Sequence, residues 1–183
     1  MHKSRGVKFT RWLAAIGVVI SVVSTASTAS ASTDQASIAY FQGGTINLAQ
    51  GWGSAHICDV IATGTYCFAG QGQYQNWAST ELSSGVTALV ITLVNCSSGL
   101  DLFQNIDYGG NELIVSSEAN WINLSTYGFS DVVSSFKVGA CSIGMTDSSN
   151  GSGNDYPGPT SSGSDVTWIG AAWNDRVQSV YIY

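Results

Sequence analysis

Basic residues are scarce and unevenly placed. The 183 residues include six Lys and Arg, and four of these (Lys3, Arg5, Lys8, Arg11) fall within the first eleven positions. All twelve Asp and Glu come later, so residues 32–183 set Lys137 and Arg176 against twelve acids, a formal charge of −10. A surface of that sign repels phosphate backbones and excludes nucleic acid as an expected partner. Lys and Glu are nearly missing after residue 31, which leaves little material for exposed helix. Proline is down to two residues, while Gly, Ser, Thr and aromatics are plentiful, so the expected class is all-β. No apolar run reaches the roughly 20 residues a membrane span needs. The run that comes nearest, WLAAIGVVISVV, follows a basic start and precedes STASTASA. Residues 1–31 therefore read as a secretory signal peptide cleaved after Ala29-Ser30-Ala31, with an extracellular product and no membrane contact after cleavage.

Catalytic signatures are missing too. GxSxG, HExxH and CxxC are absent, and the sole His after the signal, His56, reads as an ordinary strand residue, so neither an enzyme nor a zinc site is expected. Glu112 with Glu118, or Asp101 with Asp107, would be carboxylate pairs for glycoside chemistry, but that chemistry needs a set separation across a cleft. Trp52, Trp77, Trp121, Trp168 and Trp173 offer sugar-stacking surface, although in a small sandwich such rings mostly belong to the core. Asn123 begins an NLS glycosylation acceptor.

Four cysteines in an exported chain imply two disulfides, with three connectivities open. In ICDVIATGTYCF a turn at Ala62-Thr63-Gly64 sets Cys58 opposite Cys67, which favours Cys58–Cys67 and leaves Cys96–Cys141. Residues 32–94 read as a β-rich segment of Gly-broken apolar runs, with one short helix within Gln71–Gly85 and a buried strand at Val86–Val94. Thr146–Asp165 is the most loop-like stretch.

The strongest internal signal is a repeat. GFSDVVSSFKV (128–138) and AWNDRVQSVYI (172–182) align with Asp131 over Asp175, an offset of 44 residues and the size of a four-strand unit. Upstream, LDLFQNIDYGGNELIV carries Leu100, Phe103 and Tyr108-Gly109-Gly110, and there the ring of Tyr108 folds back over a tight bend that Gly110 relieves. This pattern resembles the βγ-crystallin Greek-key signature. In the second unit Thr146 replaces the strand aromatic, and the aromatic-x-Gly is read at Tyr156-Pro157-Gly158. The resemblance implies a sandwich of two Greek keys over residues 95–183, with keys at about 95–140 and 141–183.

It also implies calcium, held weakly through the family's Asn/Asp-Asn/Asp-x-x-Ser/Thr-Ser corner. SDVVSS fits with Ser130 in the first place, and NDRVQS, opening at Asn174, fits with Gln178 in the fifth. The implied ligands are Asp131 and Ser134 with the Gln104 carbonyl, and Asp175 and Gln178 with the Asp147 carbonyl. All are oxygen donors, as a hard cation requires. The other reading of the corners is structural, with Ser134, Ser135 and Ser179 bonding the local backbone. Functionally the resemblance implies a secreted binding or structural module. The alternatives are an inhibitor of an extracellular protease, with Thr146–Asp165 as its loop, or a killer-toxin-like protein.

Overall fold

The computed structural model describes residues 37–83, 98–116 and 120–183. Period-two alternation puts Leu100 and Leu102 of β5 (Leu100–Asn105) and Leu113 and Val115 of β6 (Gly109–Val115) on one fully buried face. β8 (Ser135–Val138) returns antiparallel beside β5 and adds Phe136 and Val138 to that face. Between β6 and β8 the chain leaves this sheet. β7 (Ile122–Asn123) pairs instead with β11 (Ser179–Ile182). The second half mirrors this: β9 (Ile143–Thr146) pairs with β11, a bridge joins Thr146 to Asp155, and β10 (Asp165–Val166) crosses to pair with β8. Each key thus lends its third strand to the other's sheet, and the two Greek keys close over one core.

Residues ahead of the keys widen the first sheet. β1 (Ile38–Phe41) and β2 (Gly44–Asn47) form one hairpin, and β3 (Ile57–Ile61) and β4 (Gly64–Phe68) another. β3 runs parallel to β6 and β1 parallel to β4. Among the described residues the order is β10-β8-β5-β6-β3-β4-β1-β2, against a second sheet β7-β11-β9. The expected hairpin sets Cys58 directly opposite Cys67, with Cα atoms 4.1 Å apart and the sulfurs bonded. Cys141 is also disulfide-bonded, and its expected partner Cys96 lies outside the described residues. The signal peptide (1–31) and the Val86–Val94 strand lie outside them as well.

The helix expected within Gln71–Gly85 is α1 (Gln71–Ser83). Tyr74 and Trp77 of α1 pack on Ile57, Phe68 and Ile114, on the face of the first sheet turned away from the main core. Thr146–Asp165 is mostly loop, as expected, with one 3-10 turn at Ser149–Gly151, but its own bonds pin it. The Asp147 carboxylate accepts from the Asn154 backbone N–H (2.7 Å) and side-chain amide (2.9 Å). Tyr156 then sits edge-on to both Phe136 and Trp173.

Candidate metal centre

Both corner aspartates have left-handed backbones, Asp131 at φ 60° and Asp175 at φ 56°. Asp tolerates this conformation better than most residues, which is why it recurs at both corners. The corners clasp each other. The Asp131 N–H donates to the Val177 carbonyl (3.0 Å), and the Asp175 N–H donates to that of Val133 (3.1 Å). Around this clasp the other bonds repeat with offsets of 43 or 44 residues. Ser134 N–H donates to Phe103 (3.0 Å) as Gln178 N–H donates to Thr146 (2.9 Å). The Ser135 hydroxyl joins Asn105 O and Tyr108 N–H, as that of Ser179 joins Ser148 O and Gly151 N–H. The last serine of each motif is therefore structural: it fastens the folded hairpin of its own key.

These equivalences relocate the second hairpin bend. Asp107 and Tyr108 (φ 55° and 61°) correspond to Asn150 and Gly151 (φ 57° and 70°), and Gly110 (φ 78°) corresponds to Gly153 (φ 92°). The counterpart of Tyr108-Gly109-Gly110 is thus Gly151-Ser152-Gly153, not Tyr156-Pro157-Gly158. Gly151 has no ring of its own because Trp121 lies against its α-carbon, where any side chain would collide with the indole. Tyr108 instead packs on Phe103, with rings 5.4 Å apart, under the Lys137 ammonium.

An open cavity of about 590 Å³ lies at the clasp, lined by Gln104, Asp131 and Ser134 from the first key and by Asn174 and Asp175 from the second. Ile106 and Val132 supply its apolar wall. The first expected set (Gln104, Asp131, Ser134) is therefore brought together. What the linear motif did not reveal is that Asn174 and Asp175 join it. Asp131 in turn reaches the second corner, where the Gln178 side-chain amide donates to both of its carboxylate oxygens (3.2 and 3.3 Å). Ser130 donates to Asp131 Oδ2 (3.2 Å), and the Asn174 amide donates to Asp175 Oδ2 (2.7 Å). A donor set of two carboxylates, a hydroxyl, an amide oxygen and a carbonyl suits a hard divalent cation. Among the described residues no group of three or more His, Cys, Asp or Glu side chains converges, so the charge available is small and the fit is that of a weak site.

The second expected set (Asp175, Gln178 and the Asp147 carbonyl) is differently surrounded: Asp175 lines the first cavity and Gln178 donates to Asp131. Asp147, the counterpart of Gln104, is ion-paired to Arg176 Nη2 at 2.7 Å, and Arg176 stands where the first corner has Val132. Hydrogen bonds from Asn154, with a smaller contribution from Arg176, hold the Asp147 carboxyl below its ordinary range.

The remaining sequence candidates are scattered. Asp107 sits at the hairpin bend with its N–H on the Thr167 carbonyl, and Glu118 lies outside the described residues. Asp101 and Glu112 instead share the outer face of the first sheet with Asp59. Trp52 and Trp173 are core, Trp77 covers the outer face, Trp121 packs against Tyr181 and Trp168 is exposed, so the five form no common platform. His56 pairs with Asn111, and the Asn123 amide is taken up by Asn150.

The chain is an all-β sandwich of two Greek keys that exchange strands and clasp at their corners. It is similar to βγ-crystallin domains. One from Clostridium beijerinckii has 25% identity over 47% of this chain and 98% of its own, with a TM-score of 0.40. Another, from Ciona intestinalis, has 26% identity over 47% of this chain and 100% of its own, with a TM-score of 0.38. A clostrillin double mutant in complex with nickel has 26% identity over 48% and 99%, with a TM-score of 0.41. No protein-family model and no curated protein matches the sequence.

Proposed function

We propose that this chain is an exported βγ-crystallin-like binding or structural module that takes one calcium ion, weakly, at its first corner. The observation that carries the reading is the cavity in which Gln104, Asp131 and Ser134 meet Asn174 and Asp175. The two keys supply these oxygens jointly, so an ion there ties the two corners together and stabilises the folded state by mass action. With two carboxylates, the Kd is on the order of 10⁻⁵ to 10⁻³ M, a range useful only where calcium is abundant, as outside a cell. Export rests on the composition of residues 1–31 and accords with the Cys58–Cys67 disulfide.

Calcium titration by calorimetry tests this. The wild type is expected to give single-site heat and a raised melting temperature, and the Asp131→Ala, Asp175→Ala double variant to lose both. Wild-type protein that neither evolves heat nor shifts its melting temperature contradicts the reading.

One observation favours a second reading, an inhibitor of an extracellular protease. Thr146–Asp165 is tied down through Asp147–Asn154 and through Tyr156, and a preordered loop binds at lower entropic cost. Assays against secreted proteases of each mechanistic class check it, with full protease activity throughout as the negative result.

A further inference from the structure

We propose that Arg176 is a resident cation of the second corner, its guanidinium answering the acidic charge there that an added metal ion would answer at the first corner. The inference rests on the calcium reading of the first corner only for its comparison. The geometry of Arg176 stands by itself.

The approximate twofold relation between the corners makes the substitution visible. Position 132, whose apolar side chain walls the first cavity, corresponds to position 176. There the chain places one of the two basic residues found after residue 31. Arg176 Nη2 lies 2.7 Å from Asp147 Oδ2, and Nη1 donates to the Ala172 carbonyl at 2.9 Å. Its guanidinium carbon lies 5.6 Å from the centre of the Trp173 ring. Three contacts hold the guanidinium, so although the side chain is half-exposed its charge is directed at the Asp147 carboxylate.

The neighbours of Arg176 complete the replacement. Asp147 also accepts two hydrogen bonds from Asn154, so its oxygens already face N–H donors. Gln178 stands where the first corner has the Ser134 hydroxyl, and it turns its amide N–H groups towards Asp131. The carboxylate beside Arg176, that of Asp147, therefore has its charge answered from within the chain. A divalent ion entering there would compete with the guanidinium for Asp147 and meet its repulsion. The two corners share one backbone plan, but one is built for an added cation and the other carries its own. The second key is thereby clasped without calcium.

Removing the charge should open the second corner. Arg176→Val, which copies the first corner, is expected to bind one more calcium ion per chain than the wild type in calorimetry. Arg176→Lys, which keeps a positive charge, is expected to bind no more than the wild type. In calcium-free buffer Arg176→Val should melt lower than the wild type, and saturating calcium should raise its melting temperature by more than it raises the wild type's. Arg176→Gln serves as a milder neutral variant if Arg176→Val does not fold without calcium, and the same gain of one ion is expected. An equal stoichiometry for the wild type and the folded neutral variant overturns the proposal, as does an extra ion in Arg176→Lys. A wild type that binds no calcium while the neutral variant binds one overturns the reading of the first corner and supports that of Arg176.

Discussion

Raising the pH from about 5 to about 8 should destabilise this protein, the reverse of the usual behaviour of an acidic chain whose carboxylates are salt-bridged. The cause lies on the outer face of the first sheet, where one row crosses the strands as Asp165, Lys137, Asp101, Ile114, Asp59 and Tyr66. Asp59 is 5% exposed. Burial pushes its pKa up to about 7, against the hydrogen bonds from Ser116 and Tyr74 that favour its charge. Glu112 is pushed to about 7 by burial and by Asp101, and Asp101 to about 6 by burial, with Lys137 opposing both shifts. Asp165 and the raised Tyr74 phenol are the other titratable groups acting in this cluster.

The sign follows from proton counts. Unfolded, these groups ionise near 4; folded, they hold their protons to about 6 or 7. Between those limits the folded state binds more protons, so stability is full below about pH 4 and is lost as pH rises through 7. For Asp59 alone, a carboxyl raised to about 7 corresponds to a loss on the order of 4 kcal/mol. Asp147, held below its ordinary range, acts in the opposite sense and weakens the fold only in stronger acid. Chemical unfolding at a series of pH values is expected to show a maximum near pH 4. Asp59→Asn keeps an oxygen for Ser116 and Tyr74, and it should flatten the decline and raise the melting temperature at pH 8. A flat or rising wild-type profile between pH 5 and 8 would contradict this account of the outer face.

The other large effect belongs to the core. Phe136 is fully buried in β8 and meets Tyr156 edge-on at 5.7 Å, and Tyr156 meets Trp173 in the same way at 5.4 Å. This chain of rings joins the last strand of the first key to the pinned excursion and the corner of the second. Phe136→Ala removes the ring and leaves a cavity at the junction, at a cost of about 3–5 kcal/mol. Because both corners depend on the same junction, the variant is expected to lose calcium-induced stabilisation as well as stability. Tyr156→Phe keeps the ring and should cost under about 1.5 kcal/mol. Urea unfolding of the three proteins measures both effects, and a near-neutral Phe136→Ala would mean that the keys do not share this junction.

The corners were legible because their chemistry is local. An Asp that adopts a left-handed turn and a Ser that fastens the following hairpin recur at fixed offsets, and so Asp131, Asp175, Ser135 and Ser179 stand out in the sequence. The hairpin holding Cys58 and Cys67 was legible for the same reason. The exchanged strands were not, because β7 and β10 have two residues each and show no periodicity. The attachment of β3 to β6 was equally hidden, since parallel pairing between distant segments leaves no local mark. Gly151 concealed the second bend, because the ring that marks such a bend comes from Trp121 instead. At the metal centre the motif named its residues but assigned each set to a single corner, and only the fold shows Asp175 beside Ser134 and Arg176 on Asp147. Asp59, Asp101 and Glu112 became neighbours through sheet register alone.

The central claim is a single cation site built by both keys. Crystals grown with terbium, a calcium mimic with strong anomalous scattering, test it most directly. One anomalous peak is predicted, within about 2.3–2.6 Å of oxygens from Gln104, Ser134 and the corner aspartates. A peak beside Asp147 with Arg176 displaced, or no peak at the first corner under saturating terbium, would contradict the account.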